Sequence, residues 1–442
     1  MEMNELKNRI QESGCVGAGG AGFPTAFKLA EGADSLIINA AECEPLLYTD
    51  YTILKDHLAD VVNGAEQVVA ATGIRTAYLG IENHTATRLG LVHEQKLSDH
   101  VQVAVLPDVY PMGDEIILIY QVLRRVVQPG CLPITAGVIV MNAETLYNVS
   151  HAVEDGAAVT QKWLTINGRV PQPMVIRVPV GTPVKELFAK LNLTVPEDFV
   201  VLDGGPAMGP VIDPETAVIK KTTKGLLILP RDIPAVISKL AVDRVVNVHA
   251  SSNCCQCSVC TDMCPRALLG YPLTPHKIVR TPLTAVEEHP EKYTDAAVCC
   301  GCGVCELTAC CQGISPRRVY GQVKAILGKN RLRYQPHDKE AVPHPDRDGR
   351  LLPRARFVQR LGVGPYDGHP EFRDWTIEPT HIVLPLRQHV GAPATPCVQV
   401  GDTVKAGQLV AAAAQGISAN IHSSVDGVVT AVENGMILID RR

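Results

Sequence analysis

Asn-Cys-Cys-Gln-Cys-Ser-Val-Cys-Thr-Asp-Met-Cys-Pro over residues 253–265, followed by Val-Cys-Cys-Gly-Cys-Gly-Val-Cys-Glu-Leu-Thr-Ala-Cys-Cys over 298–311, decides how this chain is read. The first run spaces Cys254, Cys257, Cys260 and Cys264 as x2, x2 and x3, with Pro265 directly behind. The second spaces Cys299, Cys302, Cys305 and Cys310 as x2, x2 and x4, with Cys311 where a proline is expected. Three thiolates at i, i+3 and i+6, with a fourth near a proline, let one tight loop wrap an iron–sulfur cubane.

A zinc site of four cysteines takes two CxxC knuckles separated by a longer loop. The consecutive, duplicated spacing here favours two [4Fe–4S] clusters instead. In two-cluster ferredoxins the fourth cysteine of each run ligates the other cluster. That pattern assigns Cys254, Cys257, Cys260 and Cys310 to one cluster, and Cys299, Cys302, Cys305 and Cys264 to the second. Either Cys310 or Cys311 can supply the last thiolate; Cys310 is preferred. Cys255 and Cys300 follow the first ligand of each run and are expected as packed small hydrophobes.

Outward from the cysteines, composition sets the frame. A chain of 442 residues exceeds one compact core, so roughly two to four domains are expected. Lys and Arg number 41 against 46 Asp and Glu, with no long basic run, and aromatic residues are 4%, which together argue against a nucleic-acid partner. Fifteen cysteines without a secretory leader pattern indicate a reducing, cytoplasmic setting. No apolar run is long enough to span a membrane.

The amino-terminal part reads as α/β. A short helix over about residues 3–13 ends at Gly14, and VGAGGAGFPTAFK follows. Gly17, Gly19 and Gly22 formally match GxGxxG, but a helix precedes them where a dinucleotide fingerprint needs a strand. Glycine amides before a Pro24-initiated helix still make a phosphate cradle, to which Lys28 adds charge. Strand Leu36–Asn39 ends near Glu42 and Glu44. A second strand–loop–helix unit carries Gly113-Asp114-Glu115, and strand Val138–Met141 ends at Asn142, Glu144 and Thr145. Polar groups at strand carboxyl ends face the ligand crevice of an α/β sheet. Together with the cradle they suit a cofactor with a phosphate, a ribityl chain and a ring.

The segments GAGGAGFPTAFK, NAAECEP, YPMGDE and MNAETL resemble, in this order, the flavin-binding domain of the NADH-oxidising subunit of respiratory complex I and of the C subunit of Rnf-type complexes. The resemblance implies that Gly17, Gly19, Gly20, Gly22 and Lys28 hold an FMN phosphate. It implies that Asn39, Glu42, Gly113, Asp114, Glu115, Asn142 and Thr145 line the ribityl and ring, and that Phe23 and Glu44 contact NADH. Ala41 stands where complex I has an aspartate, and Glu31 where it has a second aromatic; both departures weaken NADH as direct donor without touching FMN binding.

Short β-rich runs over about 158–230 suggest a small β-grasp domain, similar to the soluble-ligand-binding (SLBB) module of these families, with GGPAMG (Gly204–Gly209) packing against the cofactor domain. Residues 331–378 read as a connecting segment whose His337, His344 and His369 are solvated. The last stretch resembles a barrel-sandwich hybrid of the biotinyl/lipoyl type, but Lys405, the last lysine, lies outside the later hairpin, so no carrier role follows.

The resulting architecture is multidomain, α/β and α+β: a flavin-binding domain over 1–157, β-grasp over 158–245, a dicluster ferredoxin-like domain over 246–330, a linker over 331–378 and the sandwich over 379–442. In Rnf complexes the corresponding C subunit has its sandwich at the amino end. The order found here, with LPDVYP, CTDMCPR, LRQH and the DGVV segment, resembles the PduS-type cobalamin reductases of propanediol-utilising microcompartments. That family implies electron flow from NADH through FMN and two [4Fe–4S] clusters to cobalamin or a corrinoid-handling enzyme, with shell-protein or adenosyltransferase contacts inside a microcompartment. The competing reading is an Rnf-type subunit that relays electrons to a partner complex without a substrate of its own.

Overall fold

The computed structural model describes all residues, Met1–Arg442. Helix α1 (Met3–Glu12) leads through the glycine segment to strand β1 (Ser35–Ala40), helix α2 (Thr49–Thr72), strand β2 (Thr76–Glu82), helix α3 (Asn83–Leu89), strand β3 (Val101–Leu106) and the short strand β4 (Val109–Tyr110). Helix α4 (Glu115–Leu123), strand β5 (Val138–Asn142) and helix α5 (Ala143–Glu154) complete the unit. The main sheet is parallel in the order β3-β2-β1-β5.

Both sheet faces are covered, which explains the continuous apolar runs. Leu36, Ile38, Ile139 and Met141 enter one core; Ile37, Val138 and Val140 enter the other. Strand order reverses between β1 and β5, so their carboxyl ends splay into a crevice, the place where open α/β sheets take ligands. Asn39 and Asn142 are register partners at that point.

The next unit pairs β6 (Gln161–Gly168) with β7 (Met174–Pro179) as a hairpin, then adds α6 (Val184–Lys190), β8 (Phe199–Asp203), β9 (Val211–Ile212) and β10 (Gly225–Pro230). Strand β10 lies between β6, to which it is parallel, and β8, to which it is antiparallel. Helices α7 (Pro234–Leu240) and α8 (Asp243–Asn253) carry the chain to the cysteine loops.

Residues 331–378 connect the units, and they also add to the core. Leu352–Pro353 pairs with β4, Glu371–Phe372 extends the hairpin sheet beside β7, and helix Arg354–Leu361 buries Phe357 and Leu361 completely. Phe357 stacks on Tyr110 with ring centroids 3.8 Å apart. The histidines of this stretch have acidic or phenolic neighbours rather than solvent alone: His337 meets Asp295 at 2.7 Å and His369 meets the Tyr48 hydroxyl at 2.7 Å.

At the carboxyl end, strands Thr395–Pro396, Leu409–Ala412 and Ile421–His422 form one sheet and His381–Pro385, Thr403–Val404, Gly427–Glu433 and Met436–Arg441 another. Ile382, Val410, Ile421 and Ile437 fill the core between them. This sandwich reaches the glycine segment directly: the Val390 amide donates to the Gly22 carbonyl at 3.0 Å, and the buried Lys221 amine joins the carbonyls of Gly14 and Asn420. No helix is long and apolar enough to cross a membrane.

Candidate flavin and iron–sulfur sites

A cavity of about 1470 Å³ opens at the β1–β5 crevice. Gly19, Gly20, Asn39, Glu42, Glu44, Gly113, Asp114 and Asn142 line it. The amides of Gly19, Gly20 and Ala21 have no acceptor within the protein, while Gly17 and Gly22 close the loop through their own backbone bonds. A cluster of free N–H groups is an anion cradle, and it fits a phosphate. A side chain at Gly113 is excluded, because its Cβ would lie 2.7 Å from the Ala41 carbonyl oxygen.

Beneath the cavity a hydrogen-bond net fixes the polar groups. Asn39 donates to the Gly113 carbonyl at 3.0 Å, and Asn142 donates to the Asp50 carboxylate at 2.9 Å. Lys224 sits between Asp50 and Glu42. Burial drives the Glu42 and Glu44 carboxyls above their usual range, with Lys224 opposing this at Glu42. Glu44 accepts the amides of Ala207 and Met208, each at 2.9 Å.

Other expected residues stand behind the wall. Thr145 accepts the Ala18 amide at 3.0 Å, propping the glycine loop from below. Lys28 is turned to the Val140 carbonyl at 2.9 Å and to Glu115, outside the cavity lining. The cations that do line it are Lys220 and Lys224, from a segment to which the sequence alone assigns no role. Phe23 is held by Gly17 and does not reach the lining. The GGPAMG loop packs against the cofactor domain, as expected, and in doing so lines the cavity with Gly204, Gly205 and Met208.

Two smaller cavities sit inside the cysteine loops. One, about 340 Å³, is lined by Cys254, Cys257, Cys260 and Cys310, with Cys255 and Cys311 at its edge. The other, about 350 Å³, is lined by Cys264, Cys299, Cys302 and Cys305, with Cys300. Main-chain donors point at the sulfurs: Gly301 to Cys299 at 3.4 Å and Ile314 to Cys310 at 3.3 Å. Such N–H···S bonds are a standard feature of cluster loops.

The duplication is visible in the backbone. Positions two and four after the first cysteine are left-handed in both copies, as Gln256 and Ser258 in one and Gly301 and Gly303 in the other. The extra residue of the second run is absorbed by a π-helical turn over Cys305–Ala309, where the first copy has an α turn over Val259–Asp262. Burial raises the thiols of Cys260 and Cys264 to about 12, so binding iron there must release protons.

Cys255 departs from expectation: it is exposed, because its loop runs along the surface, and its sulfur lies within 4.8 Å of those of Cys257 and Cys311. Cys300 is half-buried and faces the flavin cavity as well as the cysteine cavity.

The two sites share a wall. Cys300 and Cys302 line both the flavin cavity and the Cys264/Cys299/Cys302/Cys305 cavity. Tyr110 bridges them, donating to the Cys302 carbonyl at 2.8 Å and approaching Glu44 at 3.4 Å. Arg266, two residues after Cys264, holds Asp114 of the flavin wall at 2.8 Å and donates to the Val298 carbonyl at 2.8 Å.

Three families match the chain in series: the Nuo51 FMN-binding domain over residues 10–151, a 4Fe-4S dicluster domain over 253–315, and the RnfC barrel sandwich hybrid domain over 373–440. FMN and two [4Fe–4S] clusters are therefore its cofactors, in agreement with the cradle and the paired cysteine cavities. Among whole proteins, the chain is 36% identical to the cobalamin reductase PduS of Salmonella typhimurium over 100% of this chain and 97% of that protein. It is 35% identical to the cobalamin reductase PduS of Citrobacter freundii, covering 99% and 96%. A component of the ion-translocating oxidoreductase complex of Edwardsiella ictaluri is 32% identical over 61% of this chain, but over only 33% of its own length. With full-length kinship on top of the matching modules, the chain belongs to the PduS family of cobalamin reductases.

Proposed function

We propose that this protein is an NADH-dependent cobalamin reductase. One NADH gives NAD⁺, a proton and two electrons, and two cob(III)alamin are reduced to cob(II)alamin. Bound FMN supplies the conversion of a hydride into single electrons, and bound clusters conduct those electrons one at a time. The chain's own residues supply position. Gly19, Gly20 and Ala21 offer the phosphate cradle; Asn39 and Asn142 line the crevice; Glu44, held by the Ala207 and Met208 amides, lines the same cavity and, on the likeness to complex I, meets the nicotinamide donor.

The observation that carries the reading is the shared wall of Cys300 and Cys302. It sets the cavity with Cys264, Cys299, Cys302 and Cys305 next to the flavin, making it the inner relay and the Cys254/Cys257/Cys260/Cys310 cavity the outer one. The remaining expected flavin residues (Gly17, Gly22, Phe23, Lys28, Glu115, Thr145) act here as supports of the cradle and its loops. Residues 158–245 are read as a β-grasp module of the soluble-ligand-binding kind, on the support of the central parallel pairing of β10 with β6. Units over 1–157, 246–330 and 379–442 are supported by the family matches over 10–151, 253–315 and 373–440, with 331–378 joining them. A microcompartment setting, with adenosyltransferase or shell contacts, is supported by kinship alone.

The test is anaerobic. Protein loaded with FMN and iron is mixed with NADH and hydroxocobalamin, and the cob(II)alamin spectrum is followed. Reduction of an artificial dye without reduction of cobalamin overturns this reading in favour of a relay component.

A further inference from the structure

Behind the outer cysteine loop lies a groove of about 1840 Å³, larger than the flavin cavity. Cys310 and Cys311 form its inner end. Helices α7 and α8 form one bank and helix Arg354–Leu361 the other.

The α7–α8 bank is unusually apolar for a surface. Ile237 and Val245 line the groove and are 53% and 50% exposed, with Pro234, Ala241 and Val246 completing the apolar lining; Leu240, Val242 and Val248 are exposed on the same stretch but outside the groove. A contiguous exposed apolar patch marks a binding site more often than a solvent face. The opposite bank is cationic. Arg356 and Arg360 stand one helical turn apart on the exposed side, away from buried Phe357 and Leu361, and neither has an acidic partner. The one carboxylate in the groove, Glu306, is already matched by Arg317 at 3.1 Å.

A corrinoid has the complementary form: a broad macrocycle with apolar faces and an amide-bearing rim, and a nucleotide tail carrying one phosphodiester; the groove offers apolar Ile237 and Val245 to a face and polar Ser238, His249 and Gln359 to the rim. We propose that the corrinoid docks in this groove, its macrocycle against Ile237 and Val245 and its phosphodiester between Arg356 and Arg360, beside the outer cysteine cavity. This rests on the cobalamin reductase reading and adds the place of the acceptor. The electron enters cobalt from the end of the relay farthest from the flavin wall. No bond to carbon or phosphorus changes; cob(III) gains one electron and becomes cob(II). The unpaired charge in the groove is positive and confined to Arg356 and Arg360, which matches a ligand carrying a single phosphodiester.

The experiment is equilibrium dialysis of the cofactor-loaded protein, without oxygen, against hydroxocobalamin and against cobinamide, which lacks the nucleotide phosphodiester. The wild type is expected to hold cobalamin roughly tenfold more tightly than cobinamide, the scale of one charge-assisted contact. In the Arg356→Gln/Arg360→Gln double variant that preference disappears while cobinamide binding persists. Val245→Asp weakens both ligands, and flavin and iron contents match the wild type in each. Unchanged cobalamin affinity in both variants overturns the groove, as does a wild type that binds neither corrinoid and reduces cobalamin only on a carrier protein. Binding is read without turnover, so a wild type that binds as expected but never reduces cobalamin refutes the function and leaves the groove standing.

Discussion

Replacing Arg266 by Met removes the clasp between the flavin wall and the inner cysteine loop. In the structure the guanidinium gives two charge-assisted bonds to one Asp114 oxygen, at 2.8 and 3.2 Å, and one to the Val298 carbonyl at 2.8 Å. Both side chains are mostly buried, with 17% and 9% exposed. Asp114 keeps the helix-capping bonds of its other oxygen from Ile116 and Ile117, but its second oxygen loses both donors. Stranding a buried carboxylate costs about 3 kcal/mol, and the orphaned Val298 carbonyl adds about 1 kcal/mol. The Asp114→Asn/Arg266→Met pair leaves no buried charge, so about 2 kcal/mol of the loss is expected to return as coupling. The assay is a four-protein urea series that follows FMN release and cluster absorbance separately. Arg266→Met should lower both midpoints together, because one contact holds both walls. Additive single and double variants, or cluster loss with FMN retained, refute the clasp.

Three further outcomes follow from particular residues. Cys310→Ser should drop iron from about eight to about four atoms per chain while Cys311→Ser keeps it near eight, measured anaerobically; the reverse result gives the ligand to Cys311. Glu82 is fully buried with neither carboxylate oxygen hydrogen-bonded, and burial raises it to about 8. Its stabilising contribution is therefore complete below about pH 4.5 and lost as pH rises through about 8, so Glu82→Gln should flatten the fall in melting temperature across that window; a parallel curve rejects it. Tyr110→Phe leaves the Cys302 carbonyl without its donor, costs about 1 kcal/mol, and should slow cluster bleaching relative to flavin bleaching in stopped flow; equal ratios count against Tyr110 as a bridge.

The features legible in the amino-acid order are those built from near neighbours. Cysteine spacing dictates loops that curl around a centre, and those loops form with matching left-handed residues in both copies. Strand ends at Asn39 and Asn142 are readable because an apolar run that stops at a polar residue marks the edge of a buried sheet. The carboxyl-terminal sandwich is legible through its likeness to biotinyl/lipoyl modules, and its short strands follow.

What the order could not supply is which distant atoms compete for the same partner. Lys28 follows the glycines, yet the Val140 carbonyl and Glu115 claim its amine, and the cavity draws its cations from Lys220 and Lys224 instead. Residues 331–378 look like a polar tether, but the packing of Phe357 on Tyr110 makes them part of the core. The meeting of Cys300 and Cys302 with the flavin cavity joins segments far apart in the chain. Local chemistry fixes what each loop can hold; only the packing of one unit on another fixes which loops face each other, because that choice depends on burial summed over the whole chain.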